Sequence, residues 1–153
     1  MTPRRVTLVR RGLYIIAVLG VAATAFELAT EQHWNSTEQL IPWAALAVLT
    51  CAIVLALLPA RAAHLGARLL TVLVIAASAY GVIDHITVNH HSGPLDQRYA
   101  AQWDSTSTTQ QWWYAATKGV GPTPPLAPAV LAQSALLVLF GSLLTPRRAE
   151  PEP

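Results

Sequence analysis

The sequence predicts an all-α fold: a polytopic membrane protein built as a four-transmembrane-helix bundle, with a short amphipathic interfacial helix in the second outer loop. Three observations predict it. Of the 153 residues, 53% are apolar and only 12% are charged, about half the charged fraction of a soluble domain. Four apolar runs reach the roughly 17–25 residues that a helix needs to cross a bilayer. Once those runs are threaded through a membrane, most of the basic residues fall on one side of it. The length suits a single domain over residues 1–153.

Each element has its own reason. Helix is the state expected of the four runs, because an open strand would leave backbone groups unpaired in lipid. The first run is "GLYIIAVLGVAATAFELAT", residues 12–30. The "MTPRRVTLVRR" before it and "ATA" at 23–25 also admit a secretory signal peptide. The apolar run continues beyond that point and three more follow, so a first membrane helix is expected. The second run, "IPWAALAVLTCAIVLALLPA", covers 41–60 and holds the one cysteine, Cys51. A lone thiol excludes an intramolecular disulfide and a CxxC motif, and Cys51 is expected to pack as a small buried apolar residue. The third run, "ARLLTVLVIAASAYGVIDHITV", covers 67–88, and the fourth, "LAPAVLAQSALLVLFGSLLT", covers 126–145.

The second outer loop, about 89–125, is long enough to carry structure of its own. "GPLDQRYAAQW" (93–103) is expected to wind into a short helix after Pro94, and "STSTTQQWWYAATKGVGPTPP" into a second. Thr108 and Gln111 have capping-box spacing, and Gly119 is placed to end that helix. Trp112, Trp113 and Tyr114 make it amphipathic and suit the membrane–water boundary. "GPTPP" then stiffens the lead into the fourth run.

Basic residues set orientation. Arg4, Arg5, Arg10, Arg11, Arg61, Arg68, Arg147 and Arg148 share one side, leaving Arg98 and Lys118 on the other. Both termini are therefore expected in the cytoplasm. Arginine outnumbers lysine and alanine is abundant, which suggests a GC-rich bacterial genome and hence the bacterial inner membrane. Asn35-Ser36-Thr37 matches a glycosylation acceptor, a match without meaning in such a cell.

The outer side collects the polar chemistry. "VIDHITVNHH" (82–91) brings Asp84, His85, Asn89, His90 and His91 to the end of the third run, and Glu27, Glu31 and His33 end the first. An ionisable residue at membrane depth is a functional candidate, and imidazole with carboxylate suits transition metals. If the first and third helices pack together, Glu27, His33, Asp84, His85 and His91 are the candidate metal ligands. Paired histidines also admit haem b, and Trp43, Tyr80, His85 and Gln133 admit a quinone slot. No HExxH, nucleophile–base motif or phosphate loop occurs, nothing points to nucleic acid, and no continuous charged path crosses the membrane.

At "EQLIPWAAL" (38–46) and "GPTPPLAPAVLAQSALLVLFGSL" (121–143) the chain resembles a group of small bacterial four-span membrane proteins of uncharacterised activity. The resemblance implies the four-span architecture and no catalytic residues. Two functions stand against each other. One is a non-enzymatic accessory or scaffold subunit, working in the bilayer within a larger membrane complex or a homo-oligomer. The other is a metal- or cofactor-binding membrane protein using the outer His/Asp/Glu cluster. Convergence of Glu27, His33, Asp84, His85 and His91 separates them.

Overall fold

The computed structural model describes residues 2–144, which form helices and turns with no strand among them. In chain order the helices are α1 (Pro3–Thr30), α2 (Thr37–Leu57), α3 (Arg61–Ser92), α4 (Thr108–Ala116) and α5 (Ala129–Leu143), with 3₁₀ turns at Gly93–Leu95 and Ala100–Ser105. Three helices, α1, α2 and α3, are long and apolar enough to cross a membrane. Their 28, 21 and 32 residues extend about 42, 31 and 48 Å at the usual rise.

The helix ends follow local chemistry. Pro3 opens α1, a position where its missing N–H costs nothing and its fixed φ is already helical. The arginines behind it are good helix formers, so α1 starts well before residue 12. Ser36 caps α2 by accepting from the Gln39 amide at 3.4 Å, and Gln39 Oε1 reaches back to the Asn35 amide at 2.7 Å. This is a capping-box exchange shifted by one residue. Pro42 lies inside α2. α3 runs through His90 and His91 instead of stopping at residue 88, and those histidines occupy its last turn.

The fourth apolar run departs furthest from expectation. α5 begins at Ala129, with Pro128 at its N-cap, and has 15 residues. Pro128 disfavours the helical conformation at Ala127, the residue before it, so the regular helix starts only after Pro128. The segment winds instead through turns, with the Ala127 amide bonding Pro124 O and the Ala129 amide bonding Leu126 O. At about 22 Å, α5 alone is shorter than a hydrocarbon core of roughly 30 Å. Thr145, Arg147 and Arg148 lie outside the described residues.

α5 packs between α1 and α3, and α2 covers the other flank of α3. The core is Leu49, Val74 and Val138 set among fully buried Ala17, Ala52, Ala67 and Ala135. Small residues at such contacts let helices approach closely in lipid. Leu19, Phe26, Leu57, Leu69 and Ile83 point outward and are each more than 60% exposed. A belt of that kind is far beyond the patches a water-soluble monomer tolerates and is what acyl chains would cover. Cys51 belongs to this outward face, not to the core: it is exposed, because its neighbours Ala52 and Ile53 take the inward positions of that turn.

α1, α2, α3 and α5 thus place the first residues, the α2–α3 link and the end of α5 at one end, the terminal end. The α1–α2 link and residues 93–125 sit at the other, the His-bearing end.

Candidate functional site

Asn89 organises the His-bearing end. It lies one turn beyond His85 on α3 and is completely buried. Its Nδ2 donates to Ala115 O at 3.1 Å and to Thr123 O at 2.8 Å. Its Oδ1 accepts from the Thr123 amide at 3.0 Å and lies 2.8 Å from Thr123 Oγ1. That hydroxyl also sits 2.9 Å from His85 O, so its one proton is shared between two acceptors. His85 Nδ1 is 2.8 Å from Pro124 O. A carbonyl only accepts, so the ring donates a proton from Nδ1. The α3 helix thereby holds the end of α4 and the Thr123–Pro124 strap against itself.

Glycine is required at one point of this strap. Gly121 has φ +81°, and a Cβ there would lie 2.5 Å from Asn89 Cα and 2.7 Å from its Cβ. Backbone strain and the collision act together, so Gly121→Ala is expected to cost about 1–3 kcal/mol. Thermal unfolding in mild detergent reads it, and an unchanged midpoint would show that the strap tolerates a side chain.

The rest of the segment forms a cap with a small core of its own. Trp103, Ala115 and Val120 are buried, with Ile86 of α3, Tyr99 and Tyr114 packed on them. α4 has Ser107 at its N-cap with no side-chain cap bond. The expected Thr108–Gln111 box is absent because Gln111 Nε2 instead donates to Trp103 O at 2.7 Å. Past the helix, Lys118 and not Gly119 takes the left-handed conformation, at φ +61°, and the Gly119 amide closes on Tyr114 O at 2.7 Å. Arg98 bonds both Asp96 (2.8 Å) and Gly119 O (2.8 Å). Its guanidinium holds the Asp96 carboxyl down at about 2, so that side chain stays ionised at any ordinary pH.

His90 lies beneath this cap. Its ring stacks on Trp112 at 4.1 Å and 16°, and meets Trp103 edge-on at 5.7 Å. Both ring nitrogens are buried without a hydrogen-bond partner. Trp112 thus presents one face to the imidazole and Trp113 is 66% exposed.

The five expected metal ligands are distributed differently from one another. Glu27 and His91 are exposed, and Asp84 is half-buried with no side-chain hydrogen bond among the described residues. His33 is half-buried in the α1–α2 link, where its carbonyl accepts from Trp43 Nε1 at 2.8 Å. Its imidazole pKa is lowered, first by burial and then by neighbouring His85, with Glu31 acting in the opposite sense. Among the described residues no three His, Cys, Asp or Glu side chains gather as a cation site. The inward face of α3 at this level is occupied by Asn89, which turns His91, two residues on, to the outside. Of the quinone set, Trp43 is engaged with His33, while Tyr80 and Gln133 are exposed.

Sequence reasoning missed Asn89 and Thr123 as the centre of this end. They are 34 residues apart, and no local spacing links them. Compared with protein-family models, curated proteins and solved structures, the chain matches none.

Proposed function

We propose that this chain is a non-enzymatic integral membrane subunit, an accessory or scaffold protein of the bacterial inner membrane. Its four apolar helices cross the bilayer with both termini in the cytoplasm. α5 completes its crossing with the wound turns that precede it. α4 lies at the outer interface with Trp113 at headgroup level.

One observation carries the reading: the polar groups of the His-bearing end are used to fasten a cap. Asn89, Thr123 and His85 bond one another's chain segments, and a rigid cap with exposed aromatic rings is a surface for a partner. Trp and Tyr are the residues that supply binding energy at such surfaces. The groove between α2 and α3, about 150 Å³ and lined by Ile41, Ala45, Val48, Leu73 and Ala77, is apolar and suits an acyl chain or a neighbouring helix.

Reporter fusions test the threading. Residue 64 and residue 105 are expected to report opposite compartments, with 64 cytoplasmic. The subunit role is tested by cross-linking in native membranes followed by mass measurement in mild detergent. The expected species is larger than one 16.4 kDa chain and disappears when Trp112 and Trp113 are both alanine. A single uncross-linked chain in native membranes would sink the proposal.

A further inference from the structure

The terminal end holds a cluster that nothing above uses. Tyr14 of α1 is 6% exposed and His64 of α3 is 9% exposed. The Tyr14 hydroxyl and His64 Nδ1 are buried and have no hydrogen-bond partner. The Tyr14 ring packs against Gly141 of α5, and the next residue, Ser142, is bonded by Arg68 of α3. His64 stands one helical turn before Arg68, and Arg10 one turn before Tyr14, so two arginines flank the phenol and the imidazole. A buried hydroxyl or imidazole nitrogen left unbonded costs about 1–3 kcal/mol, so two of them at one place, beside two cations, call for a shared ligand.

Charge defines that ligand. Every described carboxylate, from Glu27 to Asp104, belongs to the His-bearing end, and the only ion pair among the described residues is Arg98–Asp96. Among the described residues the arginine pair at the terminal end has no acidic partner. Arg68 spends two donors on α5: Nε bonds Ser142 Oγ at 3.1 Å and Nη2 bonds Ser142 O at 2.9 Å. A guanidinium has five N–H donors, so three remain, on a side chain already fixed in place. Arg10 makes no hydrogen bond within the described chain and extends from the turn before Tyr14. Orientation by positive charge explains why arginines gather at this end. It does not explain why a phenol and an imidazole are buried beside them unbonded.

We propose that Arg10, Tyr14, His64 and Arg68 form a binding site for a phosphate group, filled by the headgroup phosphodiester of an anionic lipid. Guanidinium donors match phosphate oxygens in pairs, and the phenol supplies a further donor. The site lies between α1 and α3 where the helices leave the apolar layer, the level at which lipid phosphates stand. Basic pockets between membrane helices recognise such headgroups.

The test uses the full chain in nanodiscs of phosphatidylcholine doped with increasing phosphatidylglycerol, with retained lipid counted by native mass spectrometry. Wild type is expected to retain phosphatidylglycerol selectively. Arg10→Gln, which breaks no bond inside the protein, should weaken retention roughly tenfold, and Tyr14→Phe about threefold. Tyr14→Phe removes an oxygen that bonds nothing among the described residues, so its thermal midpoint in detergent without lipid should equal or exceed that of wild type. An Arg4→Gln/Arg5→Gln pair removes twice the charge from exposed positions and should still change retention less than twofold. Titration with inorganic phosphate in neutral detergent is the second arm. Phosphate binding that is lost in Arg10→Gln, without lipid selectivity, keeps the site and assigns it to free phosphate. Equal loss in the Arg4/Arg5 pair and in Arg10→Gln, or wild-type retention in both Arg10→Gln and Tyr14→Phe, overturns the proposal.

Discussion

Replacing Asn89 with leucine will release the cap from α3 while the helices beneath it stay folded. The side chain is fully buried and supplies both donors for Ala115 O and Thr123 O and the acceptor for the Thr123 amide. Leucine keeps the branching at Cγ, is somewhat larger, and has none of these groups. Each backbone group left buried and unpaired costs about 1–3 kcal/mol, so the loss should come to at least roughly 3 kcal/mol. That exceeds what a nine-residue helix and a few buried rings can hold by themselves, since isolated helices of that length do not persist in water. Hydrogen exchange locates the effect. The Thr123 amide should lose its protection, along with the amides of α4, while α1, α2 and α5 keep theirs. Asn89→Asp is the sharper control. It keeps size and acceptor but faces two carbonyl oxygens without a donor, and should release the cap as well. Retained protection at Thr123 in both variants would mean that the clamp does not hold the cap.

The long helices were legible because hydrophobic length is a property of consecutive residues. α1, α2 and α3 overlap the first three apolar runs. α1 and α3 extend beyond theirs because the flanking arginines and histidines are themselves compatible with helix, while α2 begins earlier, at Thr37, and stops at Leu57, ahead of Pro59 and short of residue 60. Hydropathy measures where the oil ends, not where the backbone stops winding. At the fourth run the two diverge the other way. Leu126 and Ala127 are apolar, yet Pro128 delays α5 to Ala129, so the prolines decide the boundary and the hydropathy does not.

The His-bearing end was legible only as a composition. "VIDHITVNHH" shows that α3 ends among polar residues, and equal weight falls on Asp84, His85 and His91 when only their types are known. Helical phase separates them, but phase has meaning only once the neighbouring element is in place. The cap determines that Asn89 and His90 face inward and His91 outward, and the cap's contacts are long-range: Asn89 with Thr123, His90 with Trp103 and Trp112. One signal was present. An asparagine at the end of an apolar helix, followed by a Gly-Pro-Thr-Pro-Pro strap rich in carbonyls without amides, pairs a residue with two donors and an acceptor with a segment short of partners.

The second large effect is expected at the contact between α1 and α5. Gly141 is buried, and a Cβ on it would collide with Tyr14 Cε1 and come to 3.0 Å from Cδ1 and Cζ. Two opposing terms decide the outcome of Gly141→Ala. Alanine in a helix interior gains up to about 1 kcal/mol over glycine. Forcing a methyl into a closely packed contact costs about 1–3 kcal/mol, and more where a ring caught between helices has no room to rotate. The clash wins, because α5 is also held to α3 by Arg68 on Ser142, the next residue, and cannot slide away from α1 without breaking that bond. Gly141→Ala should therefore lower the thermal midpoint in mild detergent, and Gly141→Leu should separate α5 from α1. Tyr14→Ala is the diagnostic partner. Alone it opens a cavity and destabilises; combined with Gly141→Ala it gives the new methyl its space. The double variant should be more stable than the sum of the two losses predicts, by roughly 1 kcal/mol or more. Strict additivity would show that Tyr14 is not what Gly141 makes room for.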